Sequence, residues 1–527
     1  MNVMLIFAHR WIGVALALFM LTWISSGTLI AFVEAPSISP GLRLLRTQAL
    51  EPREGWLSLG EALARSAVAR RGEPGNDAGF ADARLRRLDG TPAWIIEDGR
   101  GQRFAISAID GGLIEVTPQK AERIASAWLE VEAEEAPDIS YIGTIDAPIG
   151  LRNAEALKPF HRFAVDDGLG TQVIVSARTG EVVQKLTRTQ RAVAYAGNWL
   201  HLFRWLDSIG AADYRRGALS CAGFLAATAA LTGLVVGWIR WRPGLFGRPT
   251  YLGGRVQPFR EFWLKYHFWA GLLGGTFALS WAASGFLSTN PGQIFSSANT
   301  SPAELSHFRG ERPAAIIWEW KPGAPLAISE DVLELQWSRL GDAAKLFALT
   351  RRGERRRVDL QGTIGSYSEA ELLAAAGRVA GETKIAAHEL IDSYDAYYYP
   401  NHRQTAEDKP LPALRVDLAD AKHSSFYLDP LQGRLVAKLD DSLRWRRWLY
   451  SAAHHWDFGW FRNAGVWSVW IGTCIGSVIV LSLSALVLGW RRLRRSVRPV
   501  TARFPIPRIA RVTKTSAAPS TTQQVSP

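Results

Sequence analysis

Residues 9–29, HRWIGVALALFMLTWISSGTL, align without a gap on residues 267–287, HFWAGLLGGTFALSWAASGFL. Nine positions are identical: His9/His267, Trp11/Trp269, Gly13/Gly271, Phe19/Phe277, Leu21/Leu279, Trp23/Trp281, Ser26/Ser284, Gly27/Gly285 and Leu29/Leu287. Hydrophobic bias matches Leu with Leu. It does not place His, Trp, Gly, Phe, Trp, Ser and Gly in register. Each stretch is also about as long as a helix that crosses roughly 30 Å of hydrocarbon.

Two further apolar runs complete the pattern. The four runs are about Trp11–Val33, Gly217–Ile239, Phe268–Leu287 and Val466–Trp490. The second and fourth end alike, at Gly237-Trp238 and Gly489-Trp490. Between the runs, Lys158-Pro159 with Val165-Asp166 has the same internal spacing as Lys409-Pro410 with Val416-Asp417. The expected plan is span, soluble domain, span, written twice in the same orientation, a parallel repeat. Its segments are 1–33 (first span), 34–190 (first soluble domain), 191–213 (interfacial helix), 214–240 (second span), 241–261 (loop), 262–288 (third span), 289–443 (second soluble domain), 444–464 (interfacial helix), 465–490 (fourth span) and 491–527 (basic tail, disordered after about Val500). A cleaved signal peptide does not suit the first run, which is long and is preceded by only His9 and Arg10 as basic residues.

Composition agrees. The 22 Trp are far above ordinary usage, and Trp favours the membrane–water interface. The net charge of +12 is placed by topology. Arg240, Arg242, Arg248, Arg255 and Arg260 fill the short loop, and the tail begins Arg491-Arg492-Leu493-Arg494-Arg495. The positive-inside rule puts both, and both termini, in the cytoplasm and the two large domains outside. No nucleic-acid partner is implied. The two cysteines, Cys221 and Cys474, lie in apolar runs and frame no disulfide network. No Cys-x-x-Cys-His is present, which excludes covalent c-type haem.

The soluble regions read as α+β. Ser58–Arg70 is an amphipathic helix by its pattern; Ala93–Glu97, Gln172–Ser176, Glu181–Lys185, Ser425–Leu428 and Arg434–Val436 read as strands. Turns fall at Thr179-Gly180 and Asp429–Gly433.

The repeat also pairs histidines. His9 and His267 open the first and third spans; His201 and His454 precede the second and fourth. His454 is taken over His455 on spacing to Trp490. In a parallel repeat each pair faces its partner at one depth, the arrangement six-coordinate haem iron requires. Gly13 and Gly271, four residues after their histidines, lie on the same helix face and give clearance for a flat macrocycle. A single interfacial histidine is more often an anchor or a hydrogen-bonded polar group; four in two pairs weigh evenly between that and a cofactor. His201 lies 16 residues before Gly217, so a break is expected at Asp207–Gly210 to fold it back. The corresponding break after His454 is expected at Gly459 or Gly465.

At this point the chain resembles the PepSY-associated transmembrane family. The residues carrying the resemblance are His9-Arg10-Trp11-Ile12-Gly13 with Ser26-Gly27, the Tyr427-Leu428-Asp429-Pro430-Leu431-Gln432-Gly433 hairpin, His454-His455-Trp456-Asp457-Phe458 and Gly489-Trp490-Arg491-Arg492. The resemblance implies an iron-regulated bacterial inner-membrane protein with two periplasmic PepSY-like domains. It also implies similarity to ferric-siderophore reductases with two non-covalent b-type haems. Carried over, His9 with His267 and His201 with His454 are the axial pairs. The electron donor is then a quinol or a cytoplasmic reductase, and the acceptor a periplasmic ferric complex.

Tyr397, Tyr398, Tyr399 and His402 are weaker candidates, for substrate binding; partly buried aromatic packing is the commoner role of such a cluster. His161 aligns with Pro412 and is expected at the surface. His307, His388 and His423 have no constellation. There is no phosphate loop, flavin or nicotinamide fingerprint, or nucleophile elbow. The rival readings are a non-redox membrane accessory, sensor or inhibitor, and a transporter. The lack of carboxylates within the spans weakens the last.

Overall fold

A computed structural model describes residues 2–32, 38, 48–66, 82–97, 102–130, 137–149, 151, 154–245, 247–310, 315–322, 332–341, 343–351, 355–358, 366–401, 404, 406, 408–461 and 463–496. His402 and the tail after Ser496 lie outside the described residues.

Four helices are long and apolar enough to cross a membrane: α1 (Asn2–Phe32), α4 (Arg215–Arg240), α5 (Phe262–Ser288) and α7 (Ala464–Ser496). Labels α2, α3 and α6 belong to Pro118–Glu130, Arg188–His201 and Glu369–Ala380. Helix α1 begins well before Trp11, so His9 lies inside it, two turns from its start. Helix α1 packs on α4 and α7, and α5 packs on the same two, so α1 and α5 are diagonal in a four-helix bundle. Small residues allow close approach. A Cβ at Gly223 would meet the Phe286 backbone at 3.1 Å, and one at Gly274 the Ser477 carbonyl at 2.7 Å. Phe7, Leu18, Leu231 and Val469 remain exposed on the outer faces, where lipid covers them.

Between the spans, strands form three antiparallel sheets. Strands β1 (Asp82–Leu88), β2 (Thr91–Glu97) and β3 (Arg103–Ser107) are followed by α2 and by β4 (Ile139–Ile145), β5 (Phe160–Val165), β6 (Gln172–Ser176) and β7 (Val182–Leu186). The second half of the chain has the same order. Strands β8 (Val332–Leu340), β9 (Ala343–Thr350) and β10 (Arg355–Val358) are followed by α6, β11 (Ile385–Ile391), β12 (Ala413–Leu418), β13 (Ser425–Asp429) and β14 (Arg434–Leu439). The sheets β4–β7 and β11–β14 are simple meanders. Helix α2 covers one and α6 the other, through Ala121, Ala125 and Trp128, and through Leu372, Ala375 and Ala376.

The six remaining strands join the two halves. Their order is β10-β9-β8-β1-β2-β3, so β1 pairs antiparallel with β8. Leu85 faces Leu335 at this junction, and both are fully buried. Truncating either leaves a cavity in a packed sheet. Leu335→Ala is expected to cost about 2–5 kcal/mol. Thermal unfolding in detergent checks this; an unchanged midpoint would show that the junction is dispensable.

The sequence-predicted strands and both turns fall where expected. Gly180 (φ 65°) and Gly433 (φ 59°) close the turns in the left-handed region that glycine tolerates. Four expectations are corrected. The helix predicted over Ser58–Arg70 is Leu59–Arg65; Ser58 caps it with Glu61, and Ser66 is already extended (ψ 150°). The offset between β5 and β12 is 253 residues, not the 251 of the Lys-Pro match. His161, expected at the surface, is buried in β5, its Nε2 2.8 Å from the Val116 carbonyl. The segments 191–213 and 444–464 are not single helices: α3 stops at His201, and short turns follow it.

The loop between α4 and α5 folds back on the helix ends. Arg248 donates to the Trp238 carbonyl at 2.7 Å, and Arg242 lies 4.6 Å over the Tyr251 ring. Arg491, at the far end of α7, pairs with Glu261.

Candidate functional site

The fold brings the predicted histidines to two levels of the bundle. At one level, His9 of α1 and His267 of α5 face each other across the diagonal, with ring centres 6.3 Å apart. His9 Nδ1 is 3.0 Å from the Ala229 carbonyl on α4, and His267 Nδ1 is 3.0 Å from Ser484 Oγ on α7. A carbonyl only accepts, so His9 donates from Nδ1. The Ser484 hydroxyl donates to Leu481, so it too accepts from its histidine. The flanking helices α4 and α7 thus hold the two rings from outside, and Nε2 is the nitrogen left to face inward.

At the other level, α3 runs back along α1 and ends on His201. Phe203 takes a left-handed conformation (φ 52°) and breaks the helix there; a second break follows at Gly210 (φ 75°). The expected break at Asp207–Gly210 is therefore real but second. His201 Nδ1 donates to the Trp23 carbonyl at 3.1 Å and lies 3.4 Å from Ser26 Oγ. In the second half, His454 Nδ1 lies 2.9 Å from Ser284 Oγ. The helix carrying it ends at Trp456 (φ 53°), not at Gly459 or Gly465. Trp23 and Trp281 donate their indole N–H to the His201 and His454 carbonyls, at 3.0 and 2.9 Å.

The identical Trp-x-x-Ser-Gly of the two first spans thus has a common purpose. Tryptophan holds the histidine backbone, serine touches Nδ1, and glycine makes room for the ring. A Cβ at Gly27 would come within 2.9 Å of His201 Cε1, and one at Gly285 within 3.6 Å of His454 Cε1. It is His454, not His455, that occupies the place corresponding to His201. His455 borders the same cavity, and its carbonyl accepts from Trp467. Trp23→Phe removes one hydrogen bond and should cost about 0.5–1.5 kcal/mol. The shift in thermal midpoint relative to wild type measures it, and no shift would mean the bond is not formed.

His201 and His454 line one cavity of about 670 Å³ between the two halves, within the range of small-molecule and cofactor sites. Trp23, Gly27, Trp281 and Gly285 line it with them. From His9 to the Trp23–Gly27 cradle is 14 to 18 residues along α1, roughly 21–27 Å at 1.5 Å per residue.

The other predicted residues fare differently. A Cβ at Gly13 would meet nothing within 4 Å, and one at Gly271 only Leu481 Cδ1 at 3.9 Å. The glycine that a protein ring requires at this level is Gly233, where a Cβ would stand 2.6 Å from His9 Cε1. Sequence reading missed Gly233 and Ser484, which lie in unmatched stretches of the second and fourth spans. Tyr398 and Tyr399 are buried. Tyr398 stacks on Tyr427 at 4.6 Å, and Tyr399 donates to Asp457 Oδ2. Tyr398 belongs to the core of the second sheet unit, while Tyr399 reaches from it to Asp457 on the wall of the cavity. Tyr397 is half-buried beside Trp448. Among the described residues no group of three or more His, Cys, Asp or Glu gathers as a metal cluster.

Fold and site together define a four-span membrane protein with antiparallel sheet units on one side and four histidines held at two levels of the helix bundle. Residues 7–352 match the model of the PepSY-associated TM region, and the chain belongs to that family. None of the curated proteins matches it.

Proposed function

We propose that the chain is a di-haem b protein of the bacterial inner membrane that passes electrons outward to a ferric complex, in the manner of a ferric-siderophore reductase. The observation that carries this reading is the set of four imidazoles in two pairs, each held through Nδ1 by a helix carbonyl or serine. A histidine that ligates iron generally donates its other ring N–H to such a group. The 6.3 Å between the ring centres of His9 and His267 leaves room for both imidazoles to hold one metal ion, at metal–nitrogen distances of roughly 2 Å. The cavity at His201 and His454 suits a bulky cofactor.

In this reading His9 with His267, and His201 with His454, would each hold one haem, and the two haems would supply one-electron carriers at two depths. The chain's own groups orient the imidazoles. Ala229, Ser484, Trp23 and Ser284 fix the ring tautomers, and Gly233 and Gly27 let helices approach the rings. The common element order and the Leu85–Leu335 junction support a duplicated half with pseudo-twofold symmetry. The arginine-rich loop and tail support cytoplasmic termini and periplasmic, PepSY-like sheet units. The electron enters from a quinol or a cytoplasmic reductase, and the ferric complex takes it up as Fe(II).

The test is a vesicle assay. Haem-loaded chain is reconstituted with ferric citrate and a ferrous-specific chromogenic chelator inside, and an impermeant reductant is added outside. Chain-dependent formation of the ferrous chelate supports the reading; a rate equal to protein-free vesicles contradicts it.

A further inference from the structure

We propose that Arg446 anchors a carboxylate at the rim of the outer cavity, an inference that rests on reading this cavity as a cofactor site. The segment Asp441–His455 is helical throughout, with a π turn over Arg447–Ala452. Such turns recur at functional sites because they redirect side chains. Arg446, Tyr450 and His454 stand at i, i+4 and i+8 on it. The guanidinium of Arg446 lies 5.1 Å over the Tyr450 ring, and that ring is 5.4 Å from His454. All three line the cavity, beside the amides of Asn401 and Gln404.

Neighbouring arginines are engaged. Arg444 pairs with Asp441, and Arg447 donates to the Ala396 and Asp457 carbonyls. Asp457, the carboxylate of the cavity wall, accepts from Tyr399. Among the described residues Arg446 makes no ion pair or hydrogen bond. A half-buried guanidinium beside an aromatic ring, aligned with a cavity and lacking a counter-ion among the described residues, fits an anion supplied by a ligand. Its planar fork matches a carboxylate. The first half cannot supply the same group, because Gly197 and Val193 stand four and eight residues before His201.

The carboxylate has two possible sources: the edge of the cofactor or a carboxylate-bearing ferric complex. Arg446→Gln and Arg446→Lys in the full chain distinguish them, with unfolding midpoints confirming intact folding. Two quantities are read: haem release to apomyoglobin, and ferric citrate binding by equilibrium dialysis. Haem release about tenfold faster in Arg446→Gln, with citrate binding unchanged, assigns the cofactor's carboxylate. Citrate binding about tenfold weaker, with haem retention unchanged, assigns the ferric complex. Lysine keeps the charge but not the fork and should fall between. If wild type carries haem and neither quantity changes, Arg446 has no such role and the cofactor reading stands. If wild type carries no haem, the cofactor reading fails. The citrate arm then decides alone: Arg446-dependent binding supports the anion site, and its absence overturns it.

Discussion

His9→Ala is expected to strip about half of the haem from the purified chain and leave the rest with an unchanged spectrum. The reasoning is geometric. His9 and His267 form one pair, 6.3 Å between ring centres, and the His201–His454 cradle lies some 14 residues further along α1. Alanine removes one axial imidazole from the first level and touches nothing at the second. The cavity it leaves at a half-buried ring is tolerable for a four-helix bundle. His201→Ala should remove the complementary half, and the double variant nearly all. Haem per chain, by pyridine haemochrome, is the measurement. Full retention in both single variants would refute the pairing, whatever the activity.

Gly233→Leu should reproduce the His9→Ala loss with His9 still present. A Cβ at Gly233 stands 2.6 Å from His9 Cε1, so a leucine has to push the imidazole or separate α4 from α1. Overpacking of this kind costs about 1–3 kcal/mol. Gly13→Leu provides the contrast. A Cβ there meets no protein atom within 4 Å, and replacing a mid-helix glycine removes a penalty of roughly 0.5–1 kcal/mol. The Gly13 variant should therefore unfold no earlier than wild type. If it nonetheless loses haem, the space beside Gly13 is needed by the cofactor. If both glycine variants keep full haem, neither position borders the site.

The spans were legible in the sequence because apolar length is a local signal. The first-span match was equally legible, since identities of His, Trp, Ser and Gly are independent of hydrophobic bias. What each identity does was not. Trp23, Ser26 and Gly27 act on His201, 174 to 178 residues away in the chain, and no local pattern announces that contact. Gly233 and Ser484 were missed for the same reason. His161 was misplaced because the Lys-Pro match set the register two residues off: the offset of the strands equates it with buried Leu414 inside β12, not with Pro412 before that strand. The burial of Tyr398 and Tyr399 was not legible either, because aromatic clusters serve cores and ligands alike. The joining of β1 to β8 was invisible, because pairing between distant strands depends on how two halves meet.

The most direct test of the central claim is the dithionite-reduced minus oxidised spectrum of the full-length chain, purified in detergent from haem-replete membranes, with haem and protein quantified on the same sample. The account predicts b-type bands and two haems per chain. A chain that is folded and helical yet shows no b-type bands would contradict it.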